Sequence, residues 1–374
     1  MDTPFLGATP AAFLRTAWQR HAKLVRAALP GFAGPFTRTS LFALAARDDV
    51  ESRLVVREGR RWRVEHGPFA RRALAQLPAR AWTLLVQGTN LVDARADALM
   101  RRFAFVPYAR LDDLMVSYAA PGGGVGAHLD SYDVFLLQGF GRRRWRWGVP
   151  HDTRLRGGLP LKILARFSPT HEAVLAPGDM LYLPPNVAHD GVALDACTTY
   201  SIGFRAPAAR ELGAAFLEHL ADTLSLDGRY ADPGLAAAKR PARIPAAMQA
   251  RVRATLQRIR VQARDVDDFL GAWLTEPKPH VVFARRDRVP ATAPFARALR
   301  RRGARLDLAT QALYDARSLY LNGERVSGAA RSMAALRGLA DRRALAPRDA
   351  ATLDRPTLDL IRDWYRHGWI HLDA

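Results

Sequence analysis

Residues 128–148, HLDSYDVFLLQGFGRRRWRWG, and the strand-like segments around them decide the fold. Short apolar runs broken by glycine or proline continue through residues 113–205 and include DLMVSYA, DMLYLP and TTYSIGFR. Many short strands separated by turn residues are typical of β-barrels and β-sandwiches. The sequence therefore predicts a β-barrel or sandwich in this part of the chain.

The regions on either side of this core carry helical and hairpin patterns. A helix is predicted over residues 11–29, where Leu14, Trp18 and Val25 recur at helical spacing and Pro30 ends the run. The other predicted elements follow from the same periodicities: a hairpin over 52–67, a strand in 82–92, helices over 209–225, 248–275, 329–343 and 357–367, and a hairpin at 318–328 around Asn322-Gly323.

Composition limits the class of protein. The chain has 374 residues, of which 49% are hydrophobic and 25% charged, and this predicts two or three packed domains. The single cysteine, Cys197, excludes an internal disulfide and a multi-cysteine iron–sulfur or zinc site. No apolar run reaches the length of a membrane span, and the first twenty residues lack the pattern of a signal peptide. The predicted location is therefore the cytoplasm.

The net charge of +20 admits two interpretations. Basic chains often meet nucleic acid. However, only four of the 56 basic residues are lysine, and the resulting arginine excess is also what a GC-rich genome would produce. The charge therefore leaves nucleic-acid binding open without establishing it.

The H-L-D motif at residues 128–130 is the sharpest chemical feature. In an extended segment His128 and Asp130 point to the same face, and His189 follows the turn, strand and proline-rich loop of PGDMLYLPPNVA. Two histidines and a carboxylate form the facial triad that binds iron(II) and leaves coordination positions open. A zinc site, or histidines with only a structural role, are the alternatives.

The segment GFGRRRWRWG at residues 139–148 adds a second feature. The two glycines around Phe140 predict a tight hairpin turn, and alternation in the following strand places Arg143 on the same face as Trp145 and Trp147. If the tryptophans are buried, so is Arg143, and a buried guanidinium requires an anion. A metal-chelating 2-oxo acid with a distal carboxylate, 2-oxoglutarate, fits this requirement, and Ser117 is a further hydroxyl donor. Pairing of Arg143 with a distant Asp or Glu is the alternative.

These segments resemble a known family. PGGGVGAHLDSYDVFLLQGFGRRRWRWG, PGDMLYLPPNVAHDG and YSIGFRAP are similar to the JmjC-type ribosomal oxygenases, and most similar to the bacterial members that hydroxylate an arginine of the sixteenth large-subunit ribosomal protein. The resemblance is specific over residues 110–205 and weaker over 25–110. Beyond residue 207 it rests on layout alone.

The resemblance implies an α+β protein: a double-stranded β-helix of the cupin or JmjC type over residues 1–208, a helical dimerisation region over 209–278, and a winged-helix-like domain over 279–374. It implies iron(II) on His128, Asp130 and His189, with 2-oxoglutarate on Arg143 and Ser117 and molecular oxygen as oxidant.

The implied partners are a protein of the 50S subunit and a second copy of the chain, with a ribosomal RNA contact left open. An arginine substrate requires an acidic groove, for which Asp133, Asp152 and Asp190 are candidates. A histidine hydroxylase of the same family and a non-enzymatic ribosome- or RNA-binding cupin protein are the alternative functions.

Overall fold

The computed structural model describes residues 4–373. The first part of the chain begins with short helices around an N-terminal hairpin and continues as a strand-rich unit. Its elements are α1 (Pro10–Thr16), β1 (Lys23–Val25), α2 (Arg38–Ala45), β2 (Ser52–Glu58), β3 (Arg61–His66), α3 (Arg71–Ala75), β4 (Trp82–Val86), α4 (Ala94–Arg101), β5 (Leu111–Ala119), β6 (Val134–Gln138), β7 (Arg143–Gly148), β8 (His171–Leu175), β9 (Met180–Leu183), β10 (Ala188–Ala193) and β11 (Cys197–Phe204).

Two antiparallel sheets form the strand-rich unit. The larger has the order β1-β9-β6-β11-β5-β4-β2-β3, and the smaller has the order β10-β7-β8. Apolar side chains from both sheets pack in one cluster, with Leu136 and Leu181 from the larger sheet against Trp145, Trp147 and Leu175 from the smaller. The sheets therefore face each other as the two layers of the predicted double-stranded β-helix.

The other face of the larger sheet carries an aromatic core. Phe135 and Tyr182 point outward from the sheet and pack against Phe13, Trp18 and Phe103 from the N-terminal helices and loops. Alternation along β6 explains the division, because Phe135 and Leu137 face this core while Leu136 faces the smaller sheet. Strand β6 is thus buried on both faces.

The helix predicted over residues 11–29 is wrong in its second half. Helix α1 ends at Thr16, and the chain turns at Gln19, which has a φ of +56°, before entering β1. The indole of Trp18 stacks on Tyr182 at 5.7 Å, and the Gln19 N–H donates to the Tyr182 hydroxyl at 2.7 Å. These contacts with β9 outweigh the helical pattern of the segment.

The hairpin predicted at Gly139–Gly141 is also wrong, because β6 belongs to the larger sheet and β7 to the smaller. The segment is a crossing between the sheets, held by backbone hydrogen bonds to Thr198. Both glycines are required for space: a Cβ on Gly139 would lie 2.2 Å from the Thr198 hydroxyl, and one on Gly141 would lie 2.1 Å from the Ala196 carbonyl.

Three helices follow the strand-rich unit: α5 (Ala209–Thr223), α6 (Ala246–Leu256) and α7 (Ala263–Thr275). The single helix predicted over 248–275 is therefore wrong. The chain leaves helical structure after α6, and the Asp265 carboxylate accepts a hydrogen bond from the Gln262 N–H at 2.8 Å, which caps α7 as a separate helix.

The C-terminal unit combines helices with two small sheets. Its elements are α8 (Thr292–Arg302), β12 (Ala304–Leu306), β13 (Ala312–Tyr314), β14 (Leu319–Leu321), β15 (Glu324–Val326), α9 (Ala330–Arg342), β16 (Ala344–Leu345), α10 (Pro347–Ala350), α11 (Arg355–His367) and β17 (Ile370–Leu372). The hairpin predicted at Asn322-Gly323 is confirmed, with positive φ at both residues and Leu321 paired with Glu324. Phe295, Leu336, Ile361 and Trp364 form the core of this unit.

The boundaries at 208/209 and 278/279 stay predictions, and residues 1–3 and 374 of the predicted domains lie outside the described residues. Within the described part of the chain, no helix has both the length and the apolar character needed to cross a bilayer.

Candidate metal centre

The three predicted metal ligands converge. His128, Asp130 and His189 each offer a ligand atom, and these atoms lie within 4.8 Å of one another. One oxygen of Asp130 is 3.6 Å from Nε2 of His189 and 3.9 Å from Nε2 of His128. The imidazole centroids are 4.2 Å apart. The donors are two nitrogens and one carboxylate oxygen grouped on one side, as a facial triad requires.

Backbone pairing brings the two histidines together. His128 and His189 exchange both backbone hydrogen bonds at 3.0 Å, and the Asn186 N–H donates to the Asp130 carbonyl at 2.9 Å. The H-L-D segment thus runs as an extended edge beside β10. This agrees with the extended conformation that places His128 and Asp130 on one face.

Hydrogen bonds fix which nitrogen of each histidine is free. Nδ1 of His128 lies 2.9 Å from the Gly126 carbonyl, and Nδ1 of His189 lies 3.1 Å from the Val187 carbonyl. A carbonyl only accepts, so each Nδ1 carries the proton and each Nε2 presents a lone pair to the other ligands. Burial, followed by the neighbouring charge of His128, lowers the pKa of His189 to about 4. His189 is therefore neutral near pH 7, the form that binds metal.

Arg143 is buried without an anion. It lies on β7 with only 5% of its surface exposed, on the same buried face as Trp145 and Trp147 as predicted. Its Nε and Nη2 have no hydrogen-bond partner, and it forms no ion pair with any described residue. The alternative in which a distant Asp or Glu neutralises Arg143 thus finds no support among residues 4–373. A buried guanidinium with two unused N–H groups requires an anionic ligand.

Ser117 lies on the inner face of the larger sheet. It pairs with Thr199 of β11, and Thr199 pairs with Gln138 of β6. Gln138 lies on the same face of β6 as Leu136, which packs against the smaller sheet, so Ser117 faces the smaller sheet too. Its hydroxyl is buried, and its only bond, to the Thr199 carbonyl, is long at 3.5 Å. The hydroxyl is therefore free to donate a stronger bond to a ligand between the sheets.

The glycine-rich loop before His128 is structural. A Cβ on Gly123 would lie 2.1 Å from the Trp82 carbonyl, and one on Gly124 would lie 2.5 Å from the Gly191 carbonyl. The loop passes between β4 and β10 with no room for side chains at these positions. The glycines therefore allow the chain to bring His128 beside β10.

The acidic residues proposed for a substrate groove are engaged elsewhere. Asp133 is fully buried and accepts from the Tyr182 hydroxyl at 2.6 Å. Asp190 pairs with Arg146 at 2.5 Å, and Asp152 pairs with Arg154 at 2.8 Å. Asp133 cannot receive a substrate because it is fully buried, whereas Asp152 and Asp190 stay predictions, each with its carboxylate already paired to an arginine.

Asp113 is the acidic residue that the motifs missed. It lies on β5 four residues before Ser117, and alternation along the strand places both side chains on the same inner face. One of its oxygens accepts from the Gly88 N–H at 3.1 Å, and burial raises its pKa. Within the described residues it forms no ion pair, whereas its neighbour Asp112 pairs with Lys278 at 3.1 Å. Extending the alternation backwards from Ser117 would have found it.

An aromatic side chain borders this carboxylate. A Cβ placed on Gly203 would lie 3.5 Å from an oxygen of Asp113 and 4.0 Å from the ring of Tyr132. Tyr132 is partly exposed and follows the ligand Asp130 by two residues. Asp113 and Tyr132 therefore both lie within 4 Å of the space in front of Gly203, where the inner face of the larger sheet meets the ligand loop.

Comparisons with known proteins match both units. A JmjC domain model matches residues 98–212, and a ROXA-like winged-helix model matches residues 255–371. The ribosomal protein uL16 3-hydroxylase of Escherichia coli (strain K12) is 35% identical over 269 residues, which are 71% of this chain and 71% of that protein. A probable ribosomal oxygenase of Haemophilus influenzae is 37% identical over 231 residues, 61% of this chain and 55% of that protein.

Solved structures extend the likeness over nearly the whole chain. The X-ray structure of E. coli YcfD aligns with a TM-score of 0.85 and 31% identity, covering 97% of this chain and 98% of that one. YcfD in complex with cobalt and 2-oxoglutarate, described as a ribosomal oxygenase, aligns with a TM-score of 0.83 over 99% of both chains at 31% identity. With its JmjC core, winged helix and this similarity, the chain belongs to the JmjC-type ribosomal oxygenases.

Proposed function

We propose that this protein is an iron(II)- and 2-oxoglutarate-dependent hydroxylase that acts on an arginine side chain of a 50S ribosomal protein. The observation that carries the proposal is the pairing of a His-Asp-His cluster with a buried, unpartnered arginine in one β-helix. The uL16 3-hydroxylase among its relatives supports the substrate class.

The ligand set fits iron(II). Nε2 of His128, Nε2 of His189 and an oxygen of Asp130 would occupy one face of the ion and leave the opposite positions open. Bound iron, together with 2-oxoglutarate and molecular oxygen, supplies the oxidation that hydroxylates a C–H bond and releases succinate and carbon dioxide. The protein holds both imidazoles in the required tautomer through the Gly126 and Val187 carbonyls.

Arg143 and Ser117 fit the distal carboxylate of 2-oxoglutarate. The free Nε–H and Nη2–H of Arg143 form the fork that grips a carboxylate through two parallel hydrogen bonds. The Ser117 hydroxyl supplies a third donor from the facing sheet. Trp145, which lies 5.8 Å from His189 and 5.7 Å from the guanidinium carbon, helps to exclude water between the two groups.

Asp113 gives the site its preference for a cationic side chain. Its carboxylate lacks an ion pair among the described residues and lies within 4 Å of the same position as the Tyr132 ring. A guanidinium entering there would gain a charged hydrogen bond to Asp113 and a stacking surface on Tyr132. A histidine substrate, neutral near pH 7, would not need this carboxylate, so the arginine reading is favoured.

The assembly proposed is a homodimer through residues 209–278, working in the cytoplasm on ribosomal proteins and in contact with ribosomal RNA. Helices α5 and α6 bury none of their residues. Apolar side chains in this region are exposed to solvent: Leu217, Leu235, Ile244, Val252, Leu256 and Val266. An apolar surface of this kind is typical of a protein–protein contact.

Removing a metal ligand should abolish metal binding. We expect His128→Ala and Asp130→Ala to lose Mn(II) binding by calorimetry and iron-dependent succinate release. Asp152→Ala, which removes a carboxylate outside the site, should leave both unchanged. Normal Mn(II) affinity in either ligand variant would contradict the metal assignment.

Shortening Arg143 should weaken the cosubstrate alone. Loss of one partner from a buried charged pair costs about 2–5 kcal/mol. We therefore expect Arg143→Ala to raise the KM for 2-oxoglutarate about 30-fold or more while Mn(II) affinity stays the same. Arg144→Ala, on the opposite face of β7, is the control. An unchanged KM would show that another cation binds the carboxylate.

Neutralising Asp113 should impair arginine substrates. A hydrogen bond between charged groups contributes about 1.5–3 kcal/mol, so Asp113→Asn should lower kcat/KM for an arginine-containing ribosomal peptide roughly tenfold to a hundredfold. Mass spectrometry would detect the added oxygen atom. Asp112→Asn is the matched control. Hydroxylation of a histidine peptide in place of the arginine peptide would overturn the proposed specificity.

Charging the apolar surface should dissociate the dimer. We expect the wild-type protein to sediment at twice the 41.4 kDa chain mass and the Leu217→Asp/Val252→Asp variant to sediment as a monomer. Val149→Asp, at an exposed apolar residue outside the region, should remain dimeric. A monomeric wild type would refute the proposed assembly.

A further inference from the structure

Residues 229–264, which we call the basic segment, carry a large excess of positive charge. It contains nine arginine or lysine residues and a single acidic one, Asp232, and so has a net charge of +8. The rest of the chain has 47 basic and 35 acidic residues.

The charges of this segment are exposed and uncompensated. Its basic side chains all belong to solvent-exposed residues. Among the described residues only Arg264 has an acidic partner, Asp268 at 3.5 Å. The hydrogen bonds of Arg251, Arg253 and Arg258 end on backbone carbonyls, which leave the positive charges in place. Apart from Asp268, no acidic side chain in the described part of the chain pairs with these groups, so most of their mutual repulsion is not offset by ion pairs.

Two hydrogen bonds hold the beginning of the segment against α6. Arg251 donates to the Ala231 carbonyl, and Arg258 donates to the Asp227 carbonyl at 3.5 Å. The chain around Arg229 and Tyr230 therefore lies along α6 and its C-terminal end. Tyr230 is exposed and follows Arg229 directly in the sequence, so an aromatic ring is accessible beside at least one arginine of the segment.

The arginines and the apolar stripe of α6 occupy different sides of the helix. Met248, Val252 and Leu256 recur every four residues and form one stripe, while Arg251 and Arg253 are each about 100° away from Val252 around the axis. A partner copy on the stripe would therefore leave the arginines at its edges accessible. The proposed dimer and a second ligand are compatible.

We propose that the basic segment docks on ribosomal RNA and holds the enzyme beside its protein substrate. Arginine forks bind phosphate groups through two hydrogen bonds, and exposed aromatic rings stack on unpaired bases. The inference rests on the proposed function, because a ribosomal protein substrate is surrounded by RNA when it is assembled. An anionic membrane offers phosphate too, but it offers no bases for Tyr230 to stack on.

The test compares two triple variants of the full-length protein with equal loss of charge. Arg229→Gln/Arg251→Gln/Arg258→Gln changes the basic segment, and Arg57→Gln/Arg60→Gln/Arg61→Gln changes the exposed β2–β3 turn. Binding of a fluorescein-labelled fragment of large-subunit ribosomal RNA is measured by anisotropy across a salt series. Vesicles of phosphatidylglycerol are the second probe, and sedimentation checks that both variants keep the wild-type mass.

We expect the first triple variant to lose affinity for RNA at least tenfold. The slope of log affinity against log salt should become less steep by about 2–3, since each lost phosphate contact contributes about 0.7–0.9. The β2–β3 variant should change by less than threefold. Equal losses in both variants, no salt-dependent RNA binding by the wild type, or tighter binding to the vesicles than to RNA would each overturn the proposal.

Hydroxylation of a free arginine peptide separates this proposal from the proposed function. The basic segment contributes no residue to the metal or cosubstrate site, so the first triple variant should hydroxylate the free peptide at the wild-type rate. If the wild type fails to hydroxylate any peptide but binds RNA through the segment, the enzymatic function is wrong and the docking surface stands. If peptide turnover is normal and RNA binding is absent, the docking surface is wrong and the enzymatic function stands.

Discussion

Two backbone hydrogen bonds between His128 and His189 are the constraint on which the site depends. They join residues 61 positions apart in sequence and place the H-L-D segment alongside β10. Once this pairing is made, strand geometry brings Asp130 to the same side as both imidazoles, and the carbonyls at Gly126 and Val187 set their tautomers. The ligand geometry is thus fixed by the backbone before any ion is present. Such preorganisation removes the need to order ligands when the metal binds.

The buried side chain of Arg143 is a second constraint, and it lowers the stability of the fold. A guanidinium that is buried without an anion destabilises the fold, and only a ligand that brings a carboxylate removes this cost. The tightly packed aromatic core on the outer face of the larger sheet supplies stability that the inner face lacks. A ligand that binds only the folded state stabilises it further by mass action. Binding of the cosubstrate carboxylate would therefore offset the free-energy cost of burying the Arg143 guanidinium.

Local alternation made most of the site predictable from sequence. The burial of Arg143 with Trp145 and Trp147 follows from a period of two, and the shared face of His128 and Asp130 follows from the same rule. The pairing of His128 with His189 did not follow from alternation, since it depends on which distant strands meet. There the PGD-strand-loop pattern and the family resemblance supplied the third ligand.

The predictions of secondary structure were wrong where tertiary contacts outweighed a local sequence pattern. Trp18 and Gln19 end their helix early because Tyr182 offers a ring and a hydroxyl to them. The sequence around Gly139 and Gly141 predicts a hairpin turn, because it does not show that this segment crosses between the sheets and packs against Thr198. Asp113 was missed for a different reason: it belongs to no motif, and only its position on the inner face of β5 distinguishes it from nearby carboxylates.

A positively charged enzyme should repel a positively charged substrate. The positive charges on the surface and the carboxylate in the site are separate, and this separation removes the difficulty. Exposed charges are screened over about 8–10 Å at physiological ionic strength, so the repulsion between the basic segment and a basic substrate acts only over short distances. A charge on the half-buried Asp113 carboxylate would be screened much less, and in the proposed function it would act on a substrate guanidinium at short range. Under the two proposals, long-range attraction is directed at RNA, while one carboxylate inside the β-helix selects the substrate side chain.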